Sequence, residues 1–215
     1  MPPLQKATMQ KLYADDVWKD FVPMATTDAP EGWNGNHPSL ARLAGTSGSK
    51  VVIDVGVWKG QSTITMARAM KESAIDGCVI AVDTFLGSPE HWSKERNLFA
   101  RTNGMPDLFK IFMSNVYKAQ VQDYVIPMPQ TSVTAALVLQ RLGVSASVVH
   151  IDAAHEYEEV LRDAEEYWKL IEPGGYLIGD DYHETWPGVV RAAGEFSARV
   201  LRPLSVEAPK WILRK

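Results

Sequence analysis

The amino-acid sequence predicts an α/β fold with a doubly wound, mostly parallel sheet in a single domain. From residue 51 onward, short apolar runs alternate with amphipathic segments. This alternation is typical of parallel strands that are covered by helices on both faces. The 215 residues, 46% of them hydrophobic and 22% charged, suit one soluble domain with a sizeable core.

Local patterns predict the elements in chain order. Residues 1–37 contain four prolines and the turn-rich segment 31–36, so we predict a helical N-terminal arm, a candidate lid, ahead of a domain over 38–215. In that domain, continuous apolar runs predict strands and 3.6-residue spacing predicts helices. The predicted strands are 51–55, 79–82, 124–128, 148–151, 176–179 and 210–213; the predicted helices are 4–14, 61–71, 106–121, 133–142 and 156–171, with others beginning after Pro38 and at Pro187, which suits a first helical position.

Charge and composition restrict the partners. A net charge of -4 argues against nucleic acid or an anionic membrane surface. No run of about 18 apolar residues occurs, so we expect no membrane span, and the N-terminal residues lack a signal-peptide pattern. Cys78 is the only cysteine and lies in an apolar run, which predicts a buried thiol. We therefore expect a cytoplasmic protein with a small-molecule partner; a homodimer is one assembly that the sequence allows.

A glycine-containing turn follows the first predicted strand, over residues 54–62. Gly56 and Gly60 allow a tight turn and a close approach to a ligand, and the next helix directs free N–H groups toward it. The spacing is neither that of a dinucleotide fingerprint nor that of a phosphate loop, so a plain tight turn explains it equally well. Asp83 ends the second strand, where a carboxylate can accept both hydroxyls of a ribose; a solvated strand-end aspartate is the alternative.

Carboxylates follow the fourth and fifth predicted strands. Asp152 ends the fourth strand, and Asp180 and Asp181 end the fifth. Neighbouring parallel strands bring these tips together, and three clustered carboxylates repel one another unless a cation lies between them. Oxygen ligands favour Mg²⁺ or Ca²⁺. The alternative is that Asp180 or Asp181 caps the following turn.

Taken together, these motifs resemble a known family. The segments 54–62, 82–87, 151–157 and 173–182 are similar to those of class I S-adenosylmethionine-dependent O-methyltransferases. The similarity, over residues 49–215, is to the branch that contains macrocin-type sugar methyltransferases and cephalosporin-hydroxylase-like proteins. It implies a Rossmann-like sheet of seven strands and methyl transfer to a hydroxyl group, assisted by a divalent cation.

The resemblance also implies roles for individual residues. The glycine turn would border the methionine end of the cofactor, Asp83 would hold the ribose, and residues 130–132 would lie near the adenine. The three aspartates match the magnesium positions of the family. The predicted cofactor-binding residues are Asp54, Gly56, Trp58, Gly60, Ser62, Asp83, Thr84, Gln130 and Ser132, and the predicted metal ligands are Asp152, Asp180 and Asp181.

A hydroxyl nucleophile needs a base, and we predict His155, acting with Asp152. Imidazole has a suitable ordinary pKa, although His155 could instead orient Asp152 or cap the next helix. Macrocin-type enzymes have an aspartate as the proposed base where this chain has Ala154. His183 and His91 are weaker candidates.

Two further regions adjoin the predicted site. Lys59 is expected to be a surface charge. Trp33, Asn34, Asn36 and His37 form a loop that is either an ordered surface turn or a wall of the substrate cleft.

Two alternative functions stay open. One is a nicotinamide-dependent oxidoreductase, which the glycine spacing and the carboxylate cluster disfavour. The other is a non-catalytic protein that kept the cofactor pocket. For the methyltransferase we predict an acceptor with two adjacent oxygens, as in a catechol or a vicinal diol of a sugar, since a bound cation has positions left for both.

Overall fold

A central sheet with flanking helices organises the chain. The computed structural model describes residues 1–25, 30, 32–46, 50–93 and 98–215; Glu31 of the turn-rich segment and Ser49, the first residue of the family resemblance, lie outside this part. The strands are β1 (Lys50–Val55), β2 (Gly77–Asp83), β3 (Arg101–Thr102), β4 (Met105–Pro106), β5 (Val125–Pro129), β6 (Ala146–Ile151), β7 (Ile171–Gly179), β8 (Ser205–Glu207) and β9 (Lys210–Arg214). The helices are α1 (Pro3–Leu12), α2 (Pro38–Ala44), α3 (Gln61–Glu72), α4 (Leu108–Lys118), α5 (Ser132–Arg141), α6 (Tyr157–Trp168) and α7 (Pro187–Val200).

Seven strands form the main sheet in the order β5-β2-β1-β6-β7-β9-β8. The strands from β5 to β7 pair in parallel, and β9 runs antiparallel to both β7 and β8. The chain therefore winds outward from β1 in one direction and from β6 in the other, which creates a topological switch point between these two strands. The prediction of a doubly wound, mostly parallel, seven-stranded α/β sheet is confirmed.

Strand β1 is buried on both of its faces. All six residues of β1 are buried, and successive side chains of a strand point to opposite faces. Both faces are consequently covered, as in other parallel sheets. Helices α2 and α3 contact each other, and α6 contacts both α5 and α7.

The N-terminal arm packs against the edge strand β5. The indole of Trp18 donates to the carbonyl of Val125 at 2.8 Å, and the hydroxyl of Tyr13 donates to that of Pro127 at 2.7 Å. Met9 and Trp18 belong to the main core. The first part of the predicted arm thus shares the core of the domain and covers a sheet edge that would otherwise be open.

Several element boundaries differ from the prediction. Helix α6 ends at Trp168 rather than residue 171, and α4 is shorter at both ends than 106–121. Strand β7 begins at Ile171, and its register against β6 shifts so that Ala146 pairs with Ile171 and Val148 with Tyr176. The turn-forming residues 173–175 are therefore a bulge within a strand. The sequence analysis did not predict β8 or the β3–β4 hairpin.

The burial of Cys78 and the character of the helices bear on two predictions made from composition. Cys78 is buried, and burial raises the pKa of its thiol to about 12, so the prediction of a buried thiol is confirmed. Among the described helices, none combines the length and apolar character needed to cross a membrane.

Candidate active site

The strand tips that carry the predicted site are fixed to one another by backbone hydrogen bonds. The N–H of Gly56 donates to Val82, that of Asp152 to Val55 and that of Asp180 to Ile151, at 2.8, 2.8 and 3.0 Å. Each bond extends the ladder one residue beyond a strand. Gly56, Asp152 and Asp180 consequently lie together at the carboxyl ends of the parallel strands, where the rule for such sheets places a ligand site.

The glycine turn is tied to Asp83 on the neighbouring strand. The backbone N–H of Trp58 donates to Oδ2 of Asp83 at 2.9 Å, and that of Phe85 donates to Oδ1 at 2.7 Å. Trp58 has a φ of +50° and Phe85 one of +55°, a region that non-glycine residues rarely adopt. Burial raises the pKa of Asp83, and these two N–H donors, together with that of Val57, oppose this shift.

The side chain of Asp54 connects the start of α3 to strand β6 through hydrogen bonds. It is fully buried, and its Oδ2 accepts from the hydroxyls of Ser62 and Thr63 at 2.8 and 2.6 Å. Its Oδ1 lies 2.7 Å from Nδ1 of His150. Asp54 and Ser62, both predicted to bind cofactor, therefore have partners within the protein that hold the start of α3 in place.

Gly56 makes the closest approach in the site. Its φ is +83°, and a Cβ at this position would lie 1.9 Å from the carbonyl oxygen of Asp152. This glycine was predicted to allow a close approach to a ligand; in the structure, the backbone of Asp152 is the neighbour that excludes a side chain.

An open cleft of about 510 Å³ lies between the arm and the glycine turn. Lys59, expected at the surface, is only 2% exposed, so that expectation was wrong: the residue forms part of the cleft wall, opposite residues of the arm. Its ammonium lies 5.8 Å from the ring of Trp58. The cleft is lined by Pro30, Gly32, Trp33, Trp58, Lys59, Gln61 and Leu98.

The three predicted metal ligands lie together, in two overlapping groups. Ligand atoms of His150, Asp152 and Asp180 lie within 4.8 Å of one another, and so do those of Asp152, His155 and Asp181. We call these the inner and the outer group. Burial and the charge of Asp180 raise the pKa of Asp152 well above its usual value; Lys210 opposes this shift and Asp181 adds to it.

Sequence reasoning missed Lys210 and His150. The ammonium of Lys210 lies 3.0 Å from Nε2 of His150 and also donates to Oδ2 of Asp180. Both Lys210 and His150 are fully buried. Burial and the lysine charge lower the pKa of His150. An ammonium can only donate, so Nε2 of His150 accepts from Lys210. A lysine at the start of an apolar strand was the one available signal.

His155, the predicted base, lies in the outer group. Its Nε2 is 2.8 Å from Oδ2 of Asp181, and its ring stacks on Trp186 at 4.2 Å. The weaker candidates lie elsewhere. His91 packs on Trp58, with 4.2 Å between ring centroids, and His183 is exposed and bonded to Thr185.

The predicted adenine side is formed by the tips of β2 and β5. The backbone N–H of Gln130 donates to the carbonyl of Asp83 at 3.0 Å, and the side chains of Gln130 and Thr84 are exposed there. Ser132 instead hydrogen-bonds Asp163, and its carbonyl accepts from Tyr167 at 2.8 Å.

The predicted loop at 33–37 divides between two roles. The side-chain amide of Asn34 approaches Oδ1 of Asp180 at 3.4 Å, and Trp33 lines the cleft. His37 instead caps α2 by accepting from the N–H of Ser39, and Asn36 is exposed.

Comparisons with known proteins agree with this architecture. Residues 53–182, more than half of the chain, match a family model described as a methyltransferase domain. The structure of the O-methyltransferase NovP aligns with a TM-score of 0.61 and 17% identity, over 82% of this chain and 78% of that one. The O-methyltransferase from Bacillus cereus, in complex with SAH, aligns with a TM-score of 0.58 and 17% identity, over 98% and 90%. Uncharacterized protein R132 of Acanthamoeba polyphaga mimivirus is 32% identical over 65 residues, which span 29% of each protein.

Proposed function

This chain belongs to the family of methyltransferase domains, and on that premise we propose that it transfers a methyl group from S-adenosylmethionine to a hydroxyl oxygen of a small molecule. One observation carries the proposal. The glycine turn and Asp83 lie at the tips of β1 and β2, and the carboxylate groups lie at the tips of the adjacent strands β6 and β7. A cofactor side and an acceptor side therefore meet at the switch point of the sheet.

The cofactor side suits a nucleoside with a charged amino-acid tail. Asp83 accepts backbone N–H groups on both oxygens, including those of Trp58 and Phe85, and its roughly four acceptor sites leave room for a ribose hydroxyl. The glycine turn, with Trp58, would face the methionine end, and Thr84 and Gln130 would lie beside the adenine. The SAH in the Bacillus cereus enzyme supports this class of cofactor.

The acceptor side supplies candidate bases. A methyl group on sulfonium is already activated, so the protein must align an oxygen opposite the sulfur and remove its proton. We propose His155 for proton removal, acting with Asp152, whose ligand atom lies within 4.8 Å of a ring nitrogen of His155.

We also propose assistance by a divalent cation, Mg²⁺ or a similar ion. The outer group fits such an ion, because Asp152 and Asp181 offer carboxylate oxygens within 4.8 Å of each other, and His155, whose ring nitrogen lies in the same group, is left to take the proton. A bound ion would lower the pKa of the acceptor hydroxyl. Asp180, also a predicted ligand, already has partners on both oxygens: the N–H of Asp181 on Oδ1 and Lys210 on Oδ2.

The acceptor that we propose has two adjacent oxygens. The two carboxylates of the outer group offer one ligand atom each, which is about a third of an octahedral shell and leaves positions for two acceptor oxygens. A catechol or a vicinal diol of a sugar would then be held at two points, and this would fix the reacting oxygen along the methyl–sulfur line.

The cofactor assignment is tested by calorimetric titration with S-adenosylhomocysteine. We expect a micromolar dissociation constant, equivalent to roughly -8 kcal/mol. Asp83→Asn should weaken binding by at least about tenfold, because the ribose loses a charged acceptor. Asp123→Asn is the matched control, since Asp123 is half-exposed and precedes β5; it should bind as the wild type does.

Thermal unfolding of each variant separates a binding loss from a folding loss, because the amide that replaces the Asp83 carboxylate has a single acceptor oxygen and would satisfy only one of the two N–H donors of the turn. Binding of NADH without any response to S-adenosylhomocysteine would contradict the proposed cofactor. Tight binding without methyl transfer to any hydroxyl acceptor would identify a non-catalytic binder.

A further inference from the structure

A buried ammonium lies inside the acidic cluster. The side chain of Lys210 is 0% exposed, and that of Asp180 is 2% exposed. The Lys210 ammonium donates to Oδ2 of Asp180 and to Nε2 of His150. Lysine is almost never fully buried unless it is paired, so these two partners are what keep the charge at this position.

The contacts continue through the protein to the cofactor side. His150 bonds to Asp54 at 2.7 Å, and Asp54 accepts from Ser62 and Thr63 at the start of α3. Lys210 thus joins His150 to Asp180, as the last link in a buried series of polar groups that runs from the glycine turn to Asp180. Every group named in this chain has a hydrogen-bonding partner, which makes its geometry well defined.

Lys210 lies at this edge because of the direction of its strand. Strand β9 is antiparallel to β7, and Trp211 pairs with Gly179. The first residue of β9 therefore lies beside the last residues of β7. A lysine at the N-terminal end of β9 reaches the carboxylates that follow the C-terminal ends of the parallel strands.

The position of the ammonium distinguishes the two groups of candidate ligands. Two of the three members of the inner group, His150 and Asp180, are the hydrogen-bonding partners of Lys210. A metal ion bound by both would have to displace the lysine, because two cations cannot share these ligands. In the outer group, Nε2 of His155 lies 2.8 Å from Oδ2 of Asp181.

We propose that Lys210 is the resident cation of the inner group, so that Asp180 is a positioning residue and a divalent ion binds only in the outer group. Asp180 then holds the backbone of Asp181, whose N–H it accepts at 2.7 Å. Asp181 has a φ of +58°, and this contact helps to maintain that conformation. The assignment of Lys210 to the inner group stands by itself. The assignment of a divalent ion to the outer group rests on the proposed metal assistance.

The experiment counts bound Mn²⁺ ions by titration with electron paramagnetic resonance detection, on the full chain. Lys210→Met should bind one more ion than its parent, because His150 and Asp180 become available. Lys210→Arg keeps a cation and should bind no extra ion. Lys215→Met removes the same charge just beyond the far end of β9, where Lys215 donates to the carbonyl of Trp168, and should leave the stoichiometry unchanged.

A second comparison does not require Lys210→Met to fold. With Lys210 in place, Asp181→Asn should weaken Mn²⁺ binding at least about 100-fold, whereas Asp180→Asn should weaken it no more than about tenfold, because Asp180 acts on the ion through its charge and not as a ligand. An extra ion in Lys210→Met supports the assignment of Lys210 to the inner group, whether or not the wild type binds Mn²⁺. Absence of Mn²⁺ binding in the wild type would refute the proposed metal assistance and leave the assignment of Lys210 unaffected. Equal stoichiometry in Lys210→Met and wild type, or loss of Mn²⁺ in Asp180→Asn equal to that in Asp181→Asn, overturns the proposal.

Discussion

Gly56 and Gly104 have nearly the same backbone conformation in different surroundings. Their φ angles are +83° and +84°, but a Cβ on Gly56 would lie 1.9 Å from the carbonyl oxygen of Asp152, whereas one on Gly104 would meet nothing within 4 Å. Gly104→Ala should therefore cost only the strain of a positive φ, roughly 1 kcal/mol of unfolding free energy. Gly56→Ala adds the clash and should cost more than about 3 kcal/mol.

Urea unfolding of the two variants measures these costs, and titration with S-adenosylhomocysteine should show a loss of affinity only in Gly56→Ala. Equal destabilisation by both substitutions would mean that β6 moves away to accommodate the new methyl group, and that the contact with Asp152 contributes little to the site.

At the scale of elements, the sequence predicts best where one local pattern decides the outcome. Strands β1, β2, β5 and β6 are apolar runs, and each was predicted to within about two residues. Strand β7 was predicted to be too short because residues 173–175 have strong turn propensity, yet pairing with β6 continues on both sides of them. Pairing between distant strands overrode the local preference, and a single sequence does not reveal that pairing.

Helix α6 carries a buried carboxylate whose titration affects stability. Asp163 is 3% exposed, and burial raises its pKa from 3.8 to about 6, partly offset by a hydrogen bond from Ser132. The folded protein therefore binds a proton more tightly than the unfolded chain. The unfolding free energy should fall as pH rises from about 4 to about 6 and receive no further change from this group above that range, a loss on the order of 3 kcal/mol.

Asp163→Asn has no such titration, so its stability relative to wild type should improve between pH 4.5 and pH 7.5 in urea unfolding. Asp123→Asn, which replaces a half-exposed carboxylate, provides the control and should show no comparable trend. A constant difference between Asp163→Asn and wild type across this range would show that Asp163 ionises normally.

At the scale of the whole molecule, the clustering of the predicted site residues could be predicted from the sequence, but the buried contacts that connect them could not. Asp83, Asp152 and Asp180 each end or follow a parallel strand, so they lie together at the carboxyl ends of the sheet. The sequence is enough to predict this placement, because each aspartate comes directly after an apolar run. Lys210 reaches the same edge only because β9 runs antiparallel, and its contact with His150 joins residues 60 positions apart. The arm adds a second connection, because Gly35 packs against the start of α3 while Asn34 approaches Asp180. Whether the arm closes as a lid stays a prediction.

The proposed acceptor, a compound with two adjacent oxygens, can be tested with matched compounds. If one cation in the outer group holds two oxygens, catechols and vicinal-diol sugars should be methylated at least about 100-fold faster than mono-hydroxy analogues of the same size, since a single oxygen leaves the acceptor free to rotate. Mass spectrometry of the products, with labelled S-adenosylmethionine, measures the rates and the methylated atom. Asp181→Asn should remove the preference by lowering the rate on diols toward that on mono-hydroxy compounds, while the affinity for S-adenosylhomocysteine stays near that of wild type. Equal rates on the two classes in the wild type, or transfer to amines or thiols alone, would refute two-point binding as the basis of recognition.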